Sequence, residues 1–306
     1  AVRSAAALAL FLALGEVAAR LTGFVDRVNP FPRQLYVATS VPDMPYRLRP
    51  GVSLDVRGSH VEIDELGLRD RPKIAPTPGP GVERILVVGD SVAFGWLQDA
   101  DRAFPRRLEA DLNAAASASG GSASGRYEVL NGGVPGYNAV SEAAFLRETG
   151  LGLAPRTVVV AVNLNDFDAT PHLNALGILS TSADDRVSVW SPANWSELYL
   201  AVRWAALALR GDPRVKIGAP PSAPAPQPTA GWDKLDTYVS RLRKQFYHAP
   251  TEPQWGELVA AWRALARLAG EHGARLVFAI FPDGDQLDTD APDLAPQQRL
   301  MALCAA

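Results

Sequence analysis

Cysteine is almost absent from this sequence of 306 residues, which contains only Cys304. A single cysteine excludes an internal disulfide bond and any zinc site built from several thiolates. Histidine is also scarce, and the four present, which form no HExxH pair, are His60, His172, His248 and His272. This inventory argues against metal-dependent hydrolysis. We therefore expect neither a metal ion nor another cofactor.

An excess of charge of one sign is lacking as well. The 30 Lys and Arg residues against 33 Asp and Glu residues give a formal net charge of −3. No run of Lys or Arg alternates with aromatic residues, so we expect no nucleic-acid partner. The length fits one large domain or two ordinary ones, with enough chain to bury a sizeable core.

Long hydrophobic runs are few, and the clearest is the apolar decamer AAALALFLAL at residues 5–14, which continues with a helical pattern to Arg20. Ten residues are too few to cross a bilayer of ~30 Å, which takes about 20. The run fits the core of a signal peptide, an amphipathic packing helix, or the second half of an anchor whose start is missing. Because residue 1 is Ala rather than Met, we favour a partial membrane anchor or signal segment over residues 1–22.

The middle of the chain alternates strand-like and helix-like segments. Residues 23–80 form an extension rich in proline and turns, in which alternating polarity on both sides of Gly58 predicts a β-hairpin. Beyond it, the patterns predict strands at residues 84–88, 127–130 and 157–162 and helices at 103–116 and 141–149. Strands and helices in this order favour a parallel sheet covered by helices.

The pattern changes after the third strand. Residues 195–210 are predicted as a helix, residues 218–229 as a Pro/Ala linker, and residues 234–247 and 254–271 as two further helices. A fourth strand follows at residues 275–281, and its continuous apolar run predicts cover by protein on both faces. We therefore divide the chain into the extension and an α/β domain over residues 81–306, interrupted by a helical insertion at about 171–270.

Polar motifs follow the first three predicted strands. They are GDS at residues 89–91, NGGVPGYN at 131–138 and NLNDF at 163–167. Read alone, they fit a helix cap, a tight turn and a polar loop. The second nearly matches the dinucleotide-binding pattern GxGxxG, but Asn131 replaces its first glycine and no acidic residue closes the next strand, so a dinucleotide site has little support.

Together the three motifs are more specific. The carboxyl ends of parallel strands meet at one edge of a sheet, where open α/β sheets bind their ligands. We therefore expect Ser91, Gly136 and Asn165 to converge there. A hydroxyl nucleophile beside two or three N–H donors is the arrangement that an acyl-transfer oxyanion requires.

On these motifs the chain resembles the SGNH/GDSL hydrolase superfamily of serine esterases, over residues 84–167 and more loosely over 62–72 and 275–282. It looks like the bacterial members that carry an N-terminal membrane anchor. The resemblance implies a flavodoxin-like three-layer α/β/α fold with strand order 2-1-3-4-5, and a catalytic domain in the cell envelope outside the cytoplasm. It makes Ser91 the nucleophile and assigns the oxyanion to the Ser91 and Gly136 amides and the Asn165 side chain.

The chain departs from the family pattern in two ways. Asn163 stands where the family often has glycine, and we expect its larger side chain to narrow the crevice. The family's D-x-x-H motif, which supplies the general base, is missing, because no histidine here has Asp three residues before it. We therefore expect a fragment of an active enzyme that ends before that motif and before the fifth strand. His172, with Asp168 nearby, is the remaining candidate base.

The function expected from these residues is hydrolysis of a carboxylic ester through an acyl-enzyme, on a small-molecule, glycan or lipid ester. The chain itself is expected to be inactive or weak for lack of the catalytic histidine. Two alternatives stay open. One is an O-acetyltransferase acting on an envelope polysaccharide, and the other is a non-catalytic, membrane-tethered glycan-binding module that kept the crevice and lost the base.

Overall fold

The structure is a computed structural model that describes residues 2–29, 31–56, 58–69, 74–118, 126–180, 195–210, 250–282 and 294–305. The predicted linker at 218–229 and the predicted helix at 234–247 lie outside the described residues. The strands are β1 Tyr36–Ala38, β2 Tyr46–Leu48, β3 Ser53–Val56, β4 Ser59–Glu62, β5 Val82–Gly89, β6 Arg126–Gly133, β7 Thr157–Val162, β8 His172–Leu173, β9 Leu179–Ser180 and β10 Arg275–Ile280.

The helices are α1 Val2–Thr22, α2 Phe24–Val28, α3 Ser91–Phe94, α4 Phe104–Ala118, α5 Ala139–Phe145, α6 Glu197–Leu209, α7 Glu252–Glu271 and α8 Ala295–Ala305. The last turns of the helix predicted at 141–149 are π-helical, over Leu146–Gly150. The other helices and strands predicted within the described residues are present, with ends shifted by one to three residues. Hydrophobic periodicity therefore identified these elements and only their ends differ.

Four parallel strands form the central sheet, in the order β6-β5-β7-β10. In order of appearance along the chain these are strands 2-1-3-4, which confirms the predicted parallel α/β fold. Alternation along β5 sends Leu86 and Val88 into one core with α5 and α7, and Ile85 and Val87 into the opposite core with α4. The sheet is thus the middle of three layers, and the ends of β5, β6 and β7 lie side by side at its carboxyl edge.

The fourth strand differs in one respect from its prediction. Among the described residues, β10 pairs only with β7 and forms an edge of the sheet. Aromatic side chains contact both of its faces, with the Trp262 and Phe278 rings 4.2 Å apart on one side and the Phe104 and Phe281 rings 5.3 Å apart on the other. Its apolar residues are nevertheless half-buried instead of buried. Both faces are thus covered by protein as predicted, but the burial is incomplete because an edge strand has a neighbouring strand on one side only.

The extension before the sheet is folded onto it. Strands β1 and β2 pair antiparallel, and β3 and β4 form the predicted hairpin. Tyr36, Tyr46 and Tyr137 stack edge to face, with ring centroids 5.5 and 5.4 Å apart, so the extension and the loop after β6 share one hydrophobic core. The domain boundaries at residues 22 and 80 stay predictions.

The first helix stands apart from this core. Its stretch Arg3–Thr22 is 20 residues long with a mean hydropathy of 1.6, and only 6% of it is buried. By length and composition it could cross a membrane, and a signal sequence would have the same properties.

Valine-to-alanine changes in two strands test the layer arrangement. Val160 in β7 is fully buried, whereas Val277 in β10 is half-buried at the edge. We expect Val160→Ala to lower the unfolding free energy by about 2 kcal/mol, from lost apolar burial and the cavity left behind, and Val277→Ala to cost less than half of that. Urea unfolding followed by tryptophan fluorescence measures both. Equal costs would contradict the edge position of β10.

Candidate active site

Asp90 and Ser91 lie where β5 ends and the short helix α3 begins. Asp90 is fully buried, and its Oδ1 accepts a hydrogen bond of 2.7 Å from Val92 N, so it is the N-cap of α3. Ser91 is the first residue of that helix and is half-buried. The capping role considered for Asp90 is therefore real, and it leaves the Ser91 side chain at the carboxyl edge of the sheet.

Asn165 reaches the same point from the neighbouring strand. It lies in a 3₁₀ turn, Leu164–Phe167, directly after β7. Its Nδ2 donates a hydrogen bond of 2.7 Å to Asp90 Oδ2, and Ser91 Oγ lies 3.4 Å from that same oxygen. A side-chain amide has two N–H groups, so this bond leaves the second one for a ligand. The structure thus brings Ser91 and Asn165 together at one carboxylate.

Gly136 lies in the loop after β6, beside the strand that carries Ser91. Val134 N donates to Gly89 O at 2.9 Å, which ties the start of this loop to the end of β5. Gly136 has a φ of +86°, and a Cβ there would come within 2.7 Å of Tyr46 Oη. Only glycine fits this position. Among the described residues, the backbone hydrogen bonds outside helices and strands include none donated by Gly136 N or Ser91 N.

Two residues that hold the site were missed by the sequence analysis. Tyr46, from the extension, is fully buried and its Oη donates to Pro135 O at 2.9 Å. Arg69 donates to the carbonyls of Phe94 and Gly95, at 2.5 Å each, and to that of Gln98, so it fixes the chain directly after α3. Burial lowers the pKa of Arg69 to about 10. No local pattern marks either residue, because the partners just named lie 25 or more positions away along the chain.

Two further buried acids lie near Asp90. Glu142 on α5 is fully buried and Asp166 nearly so. Burial raises the pKa of both well above the ordinary range, and the negative charge of Asp90 adds to the effect in each. Among the described residues, neither carboxyl oxygen of Glu142 has a hydrogen-bond partner. Burial therefore favours the neutral form of the Glu142 and Asp166 carboxyls, whereas Asp90 accepts hydrogen bonds from Val92 N and Asn165 Nδ2.

Asn163 caps the turn that carries Asn165. Its side chain is buried, and its Oδ1 accepts a hydrogen bond of 2.8 Å from Leu164 N. Asp166 Oδ2 in turn accepts a bond of 3.1 Å from Asn163 N, so the two residues form a capping box for the 3₁₀ turn that carries Asn165. The narrowing of the crevice stays a prediction, and the structure shows that the polar end of the Asn163 side chain forms this cap. Glycine could not supply it.

The histidines lie in different parts of the fold. His172 is half-buried and begins β8, directly after Pro171, whose Cγ would be 3.1 Å from a Cβ at position 136. His60 lies in the hairpin, with Nδ1 2.9 Å from Asp55 Oδ1 and Nε2 3.3 Å from Ser53 Oγ. This is the connectivity of a Ser-His-Asp triad, but the His60 and Asp55 side chains are 57% and 84% exposed. Water competes with such contacts, so we interpret them as ordinary cross-strand pairing.

No family model and no curated protein matches the sequence. Similar solved structures include AlinE4, an SGNH-hydrolase family esterase, with 18% identity over 73% of this chain and 93% of that one and a TM-score of 0.27. The acetyl xylan esterase AlAXEase has 14% identity over 64% and 76%, with a TM-score of 0.24. A catalytic mutant of Axe2, an acetylxylan esterase from Geobacillus stearothermophilus, has 14% identity over 72% and 91%, with a TM-score of 0.25. All three are esterases, and AlinE4 belongs to the superfamily that the sequence motifs resemble.

A pair of substitutions tests the close contact between Gly136 and Tyr46. We expect Gly136→Ala to destabilise the fold by more than the 1–2 kcal/mol that left-handed backbone costs, because its Cβ would also meet Tyr46 Oη. Tyr46→Phe removes that oxygen and costs about 1 kcal/mol for its lost hydrogen bond. The double variant should then be more stable than the sum of the single effects predicts, as measured by urea unfolding. Strictly additive effects would contradict the contact.

The pH dependence of stability tests the buried acids. Above pH about 4.5 the unfolded chain releases the Glu142 proton while the folded chain keeps it, because burial raises the pKa of this carboxyl. Folded protein then binds more protons, so the unfolding free energy falls by about 1.4 kcal/mol per pH unit up to the native pKa. Glu142→Gln removes this contribution, so its stability should fall less between pH 5 and pH 8.

Glu65→Gln serves as the control, since Glu65 is exposed. Thermal melts of both variants and of the unmodified chain across that pH range give the slopes. An unchanged or steeper slope for Glu142→Gln would show that Glu142 is ionised in the folded protein.

Proposed function

We propose that this protein hydrolyses carboxylic esters, with Ser91 as the nucleophile of an acyl-enzyme mechanism. The observation that carries the proposal is the meeting of Ser91 Oγ and Asn165 Nδ2 at one oxygen of Asp90. It places a hydroxyl beside an amide donor at the sheet edge where open α/β folds bind ligands. No metal or other cofactor enters the proposed reaction.

In the proposed reaction, Ser91 Oγ attacks the ester carbonyl carbon and the carbonyl oxygen becomes an oxyanion. The N–H groups of Ser91, Gly136 and Asn165 would stabilise this charge by donating hydrogen bonds to it. Collapse of the tetrahedral intermediate breaks the bond to the alcohol oxygen, and the alcohol leaves with the proton that Ser91 gave up. Water then hydrolyses the acyl–Ser91 ester, which releases the carboxylic acid and restores the Ser91 hydroxyl. The donors are fixed before substrate binds, because Asp90, Tyr46 and Arg69 hold the loops that carry them.

The described part of the site does not supply an evident general base for Ser91. The hydrogen bond described for Ser91 Oγ goes to Asp90, whose carboxylate already accepts two others. A serine without a base stays a neutral hydroxyl and is a poor nucleophile. Serine hydrolases that lose triad members keep a rate about 10³–10⁴ above that in water, from oxyanion stabilisation and binding. We expect this chain to hydrolyse esters at that residual level.

We further propose that α1 inserts into a membrane and holds the α/β domain at its surface. The support is the length, hydropathy and exposure of Arg3–Thr22. Such an anchor would restrict the enzyme to esters that occur at or near the bilayer, which include lipid and glycan esters of a cell envelope.

Acetylation by p-nitrophenyl acetate tests the proposed nucleophile. We expect mass spectrometry of acid-quenched protein to find the acetyl group on Ser91 and Ser91→Ala to abolish this labelling, while the weak release of p-nitrophenol changes little, because it comes from oxyanion stabilisation and binding. Asn165→Ala should keep the labelling site but lower the acylation rate by about 10²–10³, the usual cost of one oxyanion donor.

Two matched variants complete this experiment. Ser53→Ala removes the serine of the exposed Ser53–His60–Asp55 cluster and should change nothing. His172→Ala asks whether the base lies within this sequence, and we expect little effect. Acetylation that persists in Ser91→Ala and disappears in Ser53→Ala would contradict the proposed site, and a full loss in His172→Ala would identify His172 as the base.

A further inference from the structure

Exposed large hydrophobic side chains are concentrated in two places. Within the described part of the chain, all but two of them lie on α1, on α6 or at Trp195 just before α6. On α6 and its approach they are Trp195, Tyr199, Val202 and Leu209, from 40% to 90% exposed. A soluble surface rarely carries so many apolar side chains together, so this surface is expected to contact an apolar partner.

Helix α6 packs against α1 and is joined to it by hydrogen bonds. Both carboxylate oxygens of Glu16 accept hydrogen bonds from the start of α6, from Ser196 Oγ at 2.8 Å, Glu197 N at 3.0 Å and Leu198 N at 3.1 Å. Gly15 lets the helices approach closely, since a Cβ there would lie 2.9 Å from Leu198 Cδ2. A medium that surrounds the end of α1 therefore also reaches α6.

The charges on α6 indicate which medium this is. Its one acidic residue, Glu197, is buried and paired with Arg33 at 2.7 Å. The exposed Arg203 and Arg210 form no ion pair with any described residue, so the free charges of this helix surface are positive. Aromatic side chains, aliphatic side chains and arginines on one short helix are typical of helices that lie in the headgroup region of an anionic bilayer.

We propose that α6 is a second membrane-contacting element, which lies flat in the headgroup region of an anionic bilayer beside α1. At 13 residues it is too short to span a membrane. The inference rests on the proposed insertion of α1 and goes beyond it. With two contacts instead of one, the domain would have a defined orientation on the bilayer.

Site-specific labelling tests this proposal on the full chain. In a Cys304→Ser background, the variants Phe11→Cys, Val202→Cys and Ala114→Cys each carry one environment-sensitive nitrobenzoxadiazole probe, on α1, α6 and α4. The protein is reconstituted into vesicles of phosphatidylcholine with or without phosphatidylglycerol, containing spin-labelled lipids as quenchers. We expect blue-shifted, lipid-quenched emission at positions 11 and 202 and a water-like signal at 114, with quenching at 202 several-fold stronger in the anionic vesicles.

Each of the other possible results would overturn a specific part of the proposal. Quenching at 11 with a water-like signal at 202 would overturn the role of α6 and leave the anchor intact. Water-like signals at both positions would overturn the anchor and this inference together. A signal at 202 that is blue-shifted without any lipid would show that another protein segment covers α6 and would overturn its membrane contact. Equal quenching in neutral and anionic vesicles would show that Arg203 and Arg210 do not bind anionic headgroups.

Discussion

The buried carboxylate of Asp90 is the interaction on which the site depends. One of its oxygens caps α3, and the other receives the Asn165 amide and lies beside the Ser91 hydroxyl. Both oxygens of a fully buried charge are thereby provided with donors, which is the condition for burying it at tolerable cost. The same bonds join the end of β5 to the turn after β7, so one side chain sets the distance between the proposed nucleophile and an oxyanion donor.

This constraint extends outward to the rest of the fold. Asn165 can reach Asp90 because the capping box of Asn163 and Asp166 shapes its turn. The loop of Gly136 is held from the opposite side by Tyr46, a residue of the extension. The extension is thus more than a connection between α1 and the sheet. It supports the loop of Gly136, and its loss would remove that support.

The sheet and the position of the three polar motifs could be predicted because both depend on local patterns. These patterns are the continuous apolar runs of β5 and β7 and the polar residues directly after them. The roles of Tyr46, Arg69 and Glu142 could not be predicted in this way. Their partners are distant in sequence, and a buried tyrosine, arginine or glutamate has no local signature. The capping role of Asn163 could not be predicted for a related reason, since side-chain direction depends on a cap that forms only in the folded turn.

The most direct test of this account is a crystal structure of the chain after reaction with diethyl p-nitrophenyl phosphate. The phosphoryl group mimics the tetrahedral intermediate, so its oxygen reports where an oxyanion would lie. The account predicts a covalent adduct on Ser91 Oγ with the phosphoryl oxygen within hydrogen-bond distance of Ser91 N, Gly136 N and Asn165 Nδ2. An adduct on another side chain, or an adduct on Ser91 whose oxygen points away from Asn165, would contradict it.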